Sequence, residues 1–201
     1  MKKYESLTRL QEGFSKESLV DELRREYGLE INEKREIYLW GTGLLGRFAY
    51  KQFKRSEWNV VAYIDNDMAL AGNTIDGIPI ISPDMVEPSR LIVICTKFFP
   101  DIERQIKNTL SNPYIYYGIL SVMYDEFETW DMALKGMLEK LDTYRANYLH
   151  LFDKYADEVS RCVLNAVLNY RFTMKAEYLY NACMETDIRG GGQKSILIKE
   201  S

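Results

Sequence analysis

A glycine-rich turn between two apolar segments constrains the fold of this chain more than any other stretch. Residues 37–40 (Ile-Tyr-Leu-Trp) lead into residues 41–46 (Gly-Thr-Gly-Leu-Leu-Gly), a helical pattern follows, and a second apolar segment ends on Asp65. This order is typical of the first βαβ unit of a Rossmann-type nucleotide-binding domain, which has a strand, a glycine turn that opens a helix, and a second strand that ends on an acid. The stretch therefore predicts an α/β fold, with a small Rossmann-like parallel sheet and flanking helices.

The three glycines of the turn have different expected roles. Gly41 allows the tight turn, Gly43 lets a diphosphate approach the backbone, and Gly46 lets the helix pack closely on the strand. The free N–H groups and the positive dipole end of the helix then face the anion. The predicted cofactor-binding residues of the turn are Gly41, Thr42, Gly43, Leu44, Leu45 and Gly46. The alternative is a turn that closes a βα corner and binds nothing.

Polar residues that follow two of the strands are expected to complete the site. Asp65 and Asn66 follow the second strand, and Asp65 is a candidate acceptor for a ribose hydroxyl. Thr96 and Lys97 follow the apolar run 91–95, at the sheet edge that lines the ligand crevice in open α/β folds. Two carboxylates, Asp65 and Asp67, would repel a ribose 2′-phosphate, which argues against an NADP-like ligand. Asp and Asn are also common turn residues after a strand, which is the alternative interpretation.

The pattern divides the chain into four parts. We predict an N-terminal helical segment over residues 1–30, the Rossmann-like domain over 31–120, a helical extension over 121–185 and a flexible tail over 186–201. In the first part, Ser15 is expected to cap a helix that Gly28 ends. The second part holds one βαβ unit and a compact remainder. A mononucleotide or nucleotide-sugar therefore fits better than a whole NAD molecule, although an NAD-like dinucleotide stays open.

The helical extension begins with a heptad-like apolar stripe over residues 123–155. Its members are Met123, Phe127, Trp130, Leu134, Met137, Leu141, Tyr144, Tyr148, Leu151 and Tyr155. Such a stripe needs a partner surface, either within the chain or in a homodimer, and its many aromatic residues favour packing within the chain. A second amphipathic helix is expected to bury Val159, Cys162, Val163, Ala166, Val167 and Tyr170 on one face.

Composition excludes several classes of function. The 201 residues carry a net charge of -4 without a basic block, which argues against nucleic-acid binding. No apolar run is long enough to span a bilayer, so no membrane partner is expected. Cys95, Cys162 and Cys183 lie far apart, and His150 is the single histidine. We therefore expect no metal site, no Ser/His/Asp triad, and reduced thiols in the cytoplasm.

Two stretches together resemble a known family. Residues 37–46, 60–67 and 77–83 resemble the small nucleotide-binding domain that precedes FkbM-type methyltransferase domains, and this module is similar to the UDP-sugar-binding N-terminal domain of PglD-like sugar acetyltransferases. Residues 155–161 and 168–172 resemble the helical segment that joins the module to the catalytic domain in FkbM-type proteins. The resemblance covers most of residues 35–180 and implies a role in bacterial-type glycan modification.

The chain departs from that family after Arg171. Gly190-Gly191-Gly192 lacks a preceding apolar strand, and no acid follows that could hold a ribose. S-Adenosylmethionine is therefore not expected to bind this chain, no catalytic residue is assigned, and the chain alone is not expected to transfer methyl groups. Two alternatives stay open, namely a small NAD-dependent sugar-modifying enzyme and a structural or dimerisation protein with a vestigial site.

Overall fold

The computed structural model describes residues 4–27, 35–56, 58–130, 140–155, 157–173, 175 and 177–186. In chain order its elements are α1 (Glu5–Gln11), α2 (Lys16–Tyr27), β1 (Glu36–Trp40), α3 (Leu44–Arg55), β2 (Asn59–Ile64), β3 (Thr74–Ile75), β4 (Ile78–Ile81), a 3₁₀ turn (Pro83–Met85), β5 (Leu91–Ile94), α4 (Phe99–Thr109), β6 (Tyr114–Tyr116), α5 (Tyr117–Met123), α6 (Leu141–Lys154), α7 (Glu158–Thr173) and α8 (Glu177–Thr186).

Six strands form one sheet in the order β3-β4-β2-β1-β5-β6. The pairs β4–β2, β2–β1, β1–β5 and β5–β6 are parallel, and the two-residue β3 runs antiparallel to β4. From β1 the chain builds the sheet toward β2 and β4, and then crosses back to β5 and β6. This reversal leaves a crevice at the carboxyl ends of β1 and β5, where open α/β sheets bind ligands. The predicted Rossmann-like α/β fold class is confirmed.

The apolar patterns of the sequence account for the layers around the sheet. All four residues of β5 are buried, as expected for a parallel strand that is covered on both faces. In α3, Leu45, Ala49 and Phe53 are buried against the sheet, whereas Lys51 and Lys54 are exposed. The helix that was predicted after the glycine turn is therefore confirmed, and it is amphipathic.

The helices at the two ends of the chain pack together. Helix α1 contacts α6 and α7, and α2 contacts α5 and α7. The Arg145 guanidinium of α6 donates hydrogen bonds to the carbonyls of Leu10 (2.7 Å) and Phe14 (2.8 Å), just where α1 ends. The N-terminal helices thus belong to a helical layer that is completed from the far end of the chain. In the described parts of the chain, no helix combines the length and apolar character needed to cross a membrane.

The predicted start of α2 is confirmed in detail. The Ser15 hydroxyl accepts a hydrogen bond from the Ser18 N–H (3.3 Å), and the Ser18 hydroxyl accepts one from the Ser15 N–H (2.9 Å). This reciprocal pair satisfies N–H groups at the helix N-terminus that have no acceptor within the helix. Gly28, the predicted end of the helix, lies outside the described residues.

The stripe over residues 123–155 is not carried by one continuous helix. Helix α5 ends at Met123, and Tyr124 has extended backbone angles (φ -123°, ψ 111°). Phe127 is buried, with its ring 4.9 Å from that of Phe53 and 5.9 Å from that of Trp58. These aromatic contacts hold Phe127 against the sheet domain, at a point where the stripe no longer follows a helix. Stripe positions 131–139 and the predicted tail from residue 187 onward lie outside the described residues.

Helix α7 buries a different face from the predicted one. Ala166 is buried as expected, but Val159 and Val167 are exposed. The buried face instead includes two polar residues, Asn169 and Thr173. Asn165 accepts hydrogen bonds from the Ser6 N–H (3.0 Å) and hydroxyl (2.9 Å) of α1, and the Thr173 hydroxyl donates to the Asn169 carbonyl (2.8 Å). The Asn169 side-chain amide donates to Asn165 Oδ1 (3.3 Å), whereas its own Oδ1 has no partner among the described residues. The face that packs on α1 is therefore partly polar and does not follow the apolar pattern.

Candidate functional site

Two glycines of the turn are required by the fold itself. Gly41 has φ +122°, and a Cβ at this residue would lie 2.8 Å from the carbonyl oxygen of Cys95, the residue that follows β5. A Cβ on Gly46 would lie 1.9 Å from the Gly41 carbonyl oxygen. The first position needs glycine for its backbone angle and for the approach of the neighbouring strand, and the second for close packing of α3 on the turn.

Gly43 has no such structural requirement. Its φ of -74° suits any residue, and a Cβ there would meet no atom within 4 Å. Gly43 is the N-cap of α3, and no side chain caps this helix. The N–H groups of the first helical turn therefore have no acceptor within the helix, and the positive end of the helix dipole lies at this point. This geometry suits an anion such as a phosphate.

Asp65 is held by the glycine turn. Its Oδ2 accepts hydrogen bonds from the Thr42 hydroxyl (2.6 Å) and the Thr42 N–H (3.3 Å), and its Oδ1 accepts one from the Asp67 N–H (3.0 Å). The carboxylate thus fixes the turn after β1 to the loop after β2. An ionised carboxylate has about four acceptor positions, so a further donor such as a ribose hydroxyl can still bind. Motif reasoning predicted the ligand role of Asp65, but not this link to Thr42.

Asn66 is paired with a residue that the sequence did not single out. Its side-chain amide donates to Gln105 Oε1 (2.9 Å) and accepts from Gln105 Nε2 (3.1 Å). The reciprocal pair connects the loop after β2 with α4, across the region where β1 and β5 end. No sequence signal distinguishes Gln105 from other polar residues of α4, because the pairing depends on the fold.

Thr96 and Lys97 follow β5, next to the glycine turn. The Thr96 Cβ lies 3.5 Å from the position of a Cβ on Gly41, so the two loops are in contact. The Thr96 hydroxyl accepts a hydrogen bond from the Phe98 N–H (3.2 Å), and the Lys97 ammonium lies 5.1 Å from the centre of the Phe98 ring. Arg47 supplies another cation near the turn, with its Nε donating to the Thr42 carbonyl (3.3 Å).

Three exposed apolar side chains stand on the loops around the crevice. Leu44, Met68 and Phe98 are 79%, 66% and 58% exposed, and they come shortly after β1, β2 and β5. The carboxyl ends of parallel strands meet at one edge of the sheet, so the three residues share that edge. Leu45, by contrast, is buried. Exposed apolar groups at a crevice can contact a flat or aliphatic part of a ligand.

Two buried titratable side chains, Cys95 and Tyr63, lie close to this edge. Complete burial raises the pKa of the Cys95 thiol far above its usual range, which makes it an inert thiol. Burial likewise raises the pKa of Tyr63, whose hydroxyl has no hydrogen-bond partner among the described residues. Within the same residues, no group of His, Cys, Asp and Glu side chains could hold a metal ion.

Comparisons with known proteins agree with this architecture. A family model described as C2185-like, N-terminal, matches residues 33–114, which include β1 to β5 and end at the first residue of β6. The fold is similar to the crystal structure of methyltransferase FkbM from Methylobacillus flagellatus KT, with a TM-score of 0.54 and 17% sequence identity. The similarity covers 87% of this chain and 51% of that structure, so the chain spans about half the length of its structural relative. No curated protein matches the sequence.

Proposed function

We propose that this chain binds a nucleotide or nucleotide-sugar in the crevice at Gly43, as a non-catalytic module related to the N-terminal part of FkbM-type methyltransferases. The observation that carries the proposal is the difference between the glycines. Gly41 and Gly46 have no room for a Cβ, whereas Gly43 borders open space at the start of an uncapped helix. A ligand that approaches the backbone gives a reason for glycine at a position where the fold needs none.

The parts of the crevice match the parts of such a ligand. The first-turn N–H groups of α3 would bind the diphosphate, with Lys97 and Arg47 as nearby cations. Asp65 would accept a hydrogen bond from a ribose hydroxyl with its remaining acceptor capacity. The Phe98 ring, 58% exposed, would stack on the base. Asn66 and Gln105 would lie at the rim, where their paired amides can exchange partners with the ligand.

The relation to methyltransferases rests on two comparisons. The family model covers residues 33–114, and the structural similarity to an FkbM methyltransferase extends over 87% of the chain. We propose that the chain serves as an accessory to methyl transfer, with glycans or similar substrates, and does not bind S-adenosylmethionine itself. In its most specific form, the proposal is that the chain binds a UDP-sugar, as the N-terminal domain of PglD-like sugar acetyltransferases does.

A thermal-shift screen followed by calorimetry tests the proposal. The ligands are UDP, UDP-sugars, other nucleotide-sugars, NAD, pyrophosphate and S-adenosylmethionine. A ligand present at one hundred times its dissociation constant stabilises the fold by about 2.7 kcal/mol. For a chain of this size we expect the melting temperature to rise by roughly 5–11 °C. A response to a nucleotide-sugar supports the proposal, and a response to NAD alone favours the alternative of a small NAD-dependent sugar-modifying enzyme.

The Gly43→Val variant locates the site. Its side chain would fill the space that the diphosphate needs, so we expect at least a tenfold loss of affinity with little change in melting temperature. Asn108→Val is the matched control, because it places the same side chain on the exposed surface of α4 near the end opposite the crevice. Unchanged affinity in Gly43→Val would refute the site. Binding of S-adenosylmethionine would refute the accessory role.

A further inference from the structure

Helix α7, together with Tyr155, which directly follows α6, presents a row of apolar side chains that the described helices leave uncovered. Tyr155, Val159 and Val167 are 39%, 46% and 37% exposed. Together with Val163 and Leu164 they line an open groove of about 370 Å³. Large apolar groups that are exposed side by side, rather than singly, are typical of an interaction surface.

The two ends of this row differ in charge. Arg171 continues the four-residue spacing of Val159, Val163 and Val167 and is exposed in the last turn of the helix. Among the described residues, it makes no ion pair or hydrogen bond. At the other end lie the Tyr155 ring and the exposed carboxylate of Asp157. This carboxylate accepts a hydrogen bond from the Ser160 N–H (2.7 Å) and caps the helix. Arg161 lies at this end as well, but its Nε is held by the Tyr155 carbonyl at 2.8 Å.

The row is complementary to its own reversed copy. If two α7 helices cross antiparallel with Val163 at the centre, each Val159 meets the other copy's Val167. Each Tyr155 then meets an Arg171, so that a guanidinium contacts an aromatic ring close to a carboxylate. Side chains spaced four apart form ridges, and two such ridges interdigitate when the helices cross at about -50°.

We propose that α7 forms a two-fold symmetric homodimer through the row Tyr155, Val159, Val163, Val167 and Arg171. A two-fold interface uses the same patch on both copies, which requires a self-complementary surface. This surface differs from the sequence stripe over residues 123–155 and shares Tyr155 with it. The proposal is independent of nucleotide binding, because none of the residues of the row is among those assigned to the crevice.

Sedimentation velocity over a concentration series measures the assembly directly. The chain has a mass of 23.6 kDa, and we expect a species of about twice that mass to form as the concentration rises. Val163→Glu places two carboxylates together at the symmetry axis, so this variant should stay monomeric at every concentration. Its circular dichroism and melting curve should match the dilute wild-type protein, since Val163 is only half-buried. Lys51→Glu, on the exposed face of α3, is the control and should still dimerise.

Disulfide trapping tests the antiparallel arrangement. Val159→Cys and Val167→Cys are prepared separately, each in a chain that also carries Cys162→Ser and Cys183→Ser. After mild oxidation of a mixture, we expect the cross-link between Cys at 159 of one copy and Cys at 167 of the other to exceed either like-with-like product. A wild-type protein that is monomeric at all concentrations would overturn the proposal. So would a dimer that survives Val163→Glu, or like-with-like cross-links alone.

Discussion

Replacing Gly46 by alanine tests the close packing of α3 on the glycine turn. Helix propensity alone would make alanine more stable than glycine by about 1 kcal/mol inside a helix. The added Cβ would, however, lie 1.9 Å from the Gly41 carbonyl oxygen and 3.0 Å from its carbon. Gly41 cannot move away easily, because its N–H bonds to the Ile64 carbonyl (2.9 Å) and the Cys95 carbonyl stands behind it. The steric cost should therefore exceed the gain in propensity.

We expect Gly46→Ala to lower the free energy of unfolding by roughly 3 kcal/mol, at the upper end of typical overpacking costs. For a chain of this size, that corresponds to a melting temperature lower by roughly 6–12 °C. Urea denaturation followed by circular dichroism gives both quantities. Gly43→Ala is the control, since its Cβ meets nothing and should cost about 1 kcal/mol or less through weaker capping. Equal stability of the two variants would refute the packing argument.

Three further predictions concern stability. Phe53 is fully buried among aromatic rings, so Phe53→Ala should cost about 3–5 kcal/mol in urea denaturation, and a loss below 1 kcal/mol would contradict that core. Hydrogen bonds from Arg9 lower the pKa of Glu22, so this carboxylate stabilises the fold above its unfolded pKa of about 4.3. This stabilisation is lost as the pH falls through the folded pKa. Glu22→Gln should therefore remove that part of the acid dependence of stability. Burial, followed by the Glu5 carboxylate, raises the pKa of Tyr178 to about 12. The contribution of Tyr178 to stability is therefore complete below pH ~10 and is lost as the pH rises toward 12. Tyr178→Phe should flatten the alkaline part of a plot of melting temperature against pH, and an unchanged alkaline part would refute the assignment.

The parts of the fold that could be predicted from sequence are those set by local patterns. The glycine turn, the buried β5 and the amphipathic α3 each follow from residues within one short window, and the structure contains all three. The Ser15 cap is equally local, since its partner Ser18 is three positions away.

The parts that escaped prediction depend on contacts between distant segments. Thr42 and Asp65 meet because β1 and β2 are neighbours, and Asn66 meets Gln105 because α4 packs beside the crevice. On the buried face of α7, the Asn169 amide donates to Asn165 Oδ1, the same oxygen that accepts the Ser6 hydroxyl of α1. Apolar periodicity cannot reveal a buried face that is partly polar, nor a partner that lies on another element.

The joining of the two chain ends has a consequence for the order of folding. Ser6 and Asn165 are separated by 159 positions, and Leu10 and Arg145 by 135. Contacts of such sequence separation close large loops, which slows the search for the native topology. During synthesis, α1 leaves the ribosome long before α6 and α7 are made, so its apolar face lacks its final packing partners during that time. The sheet domain can form first, and the helical layer is completed only when the segment around Asn165 has been made.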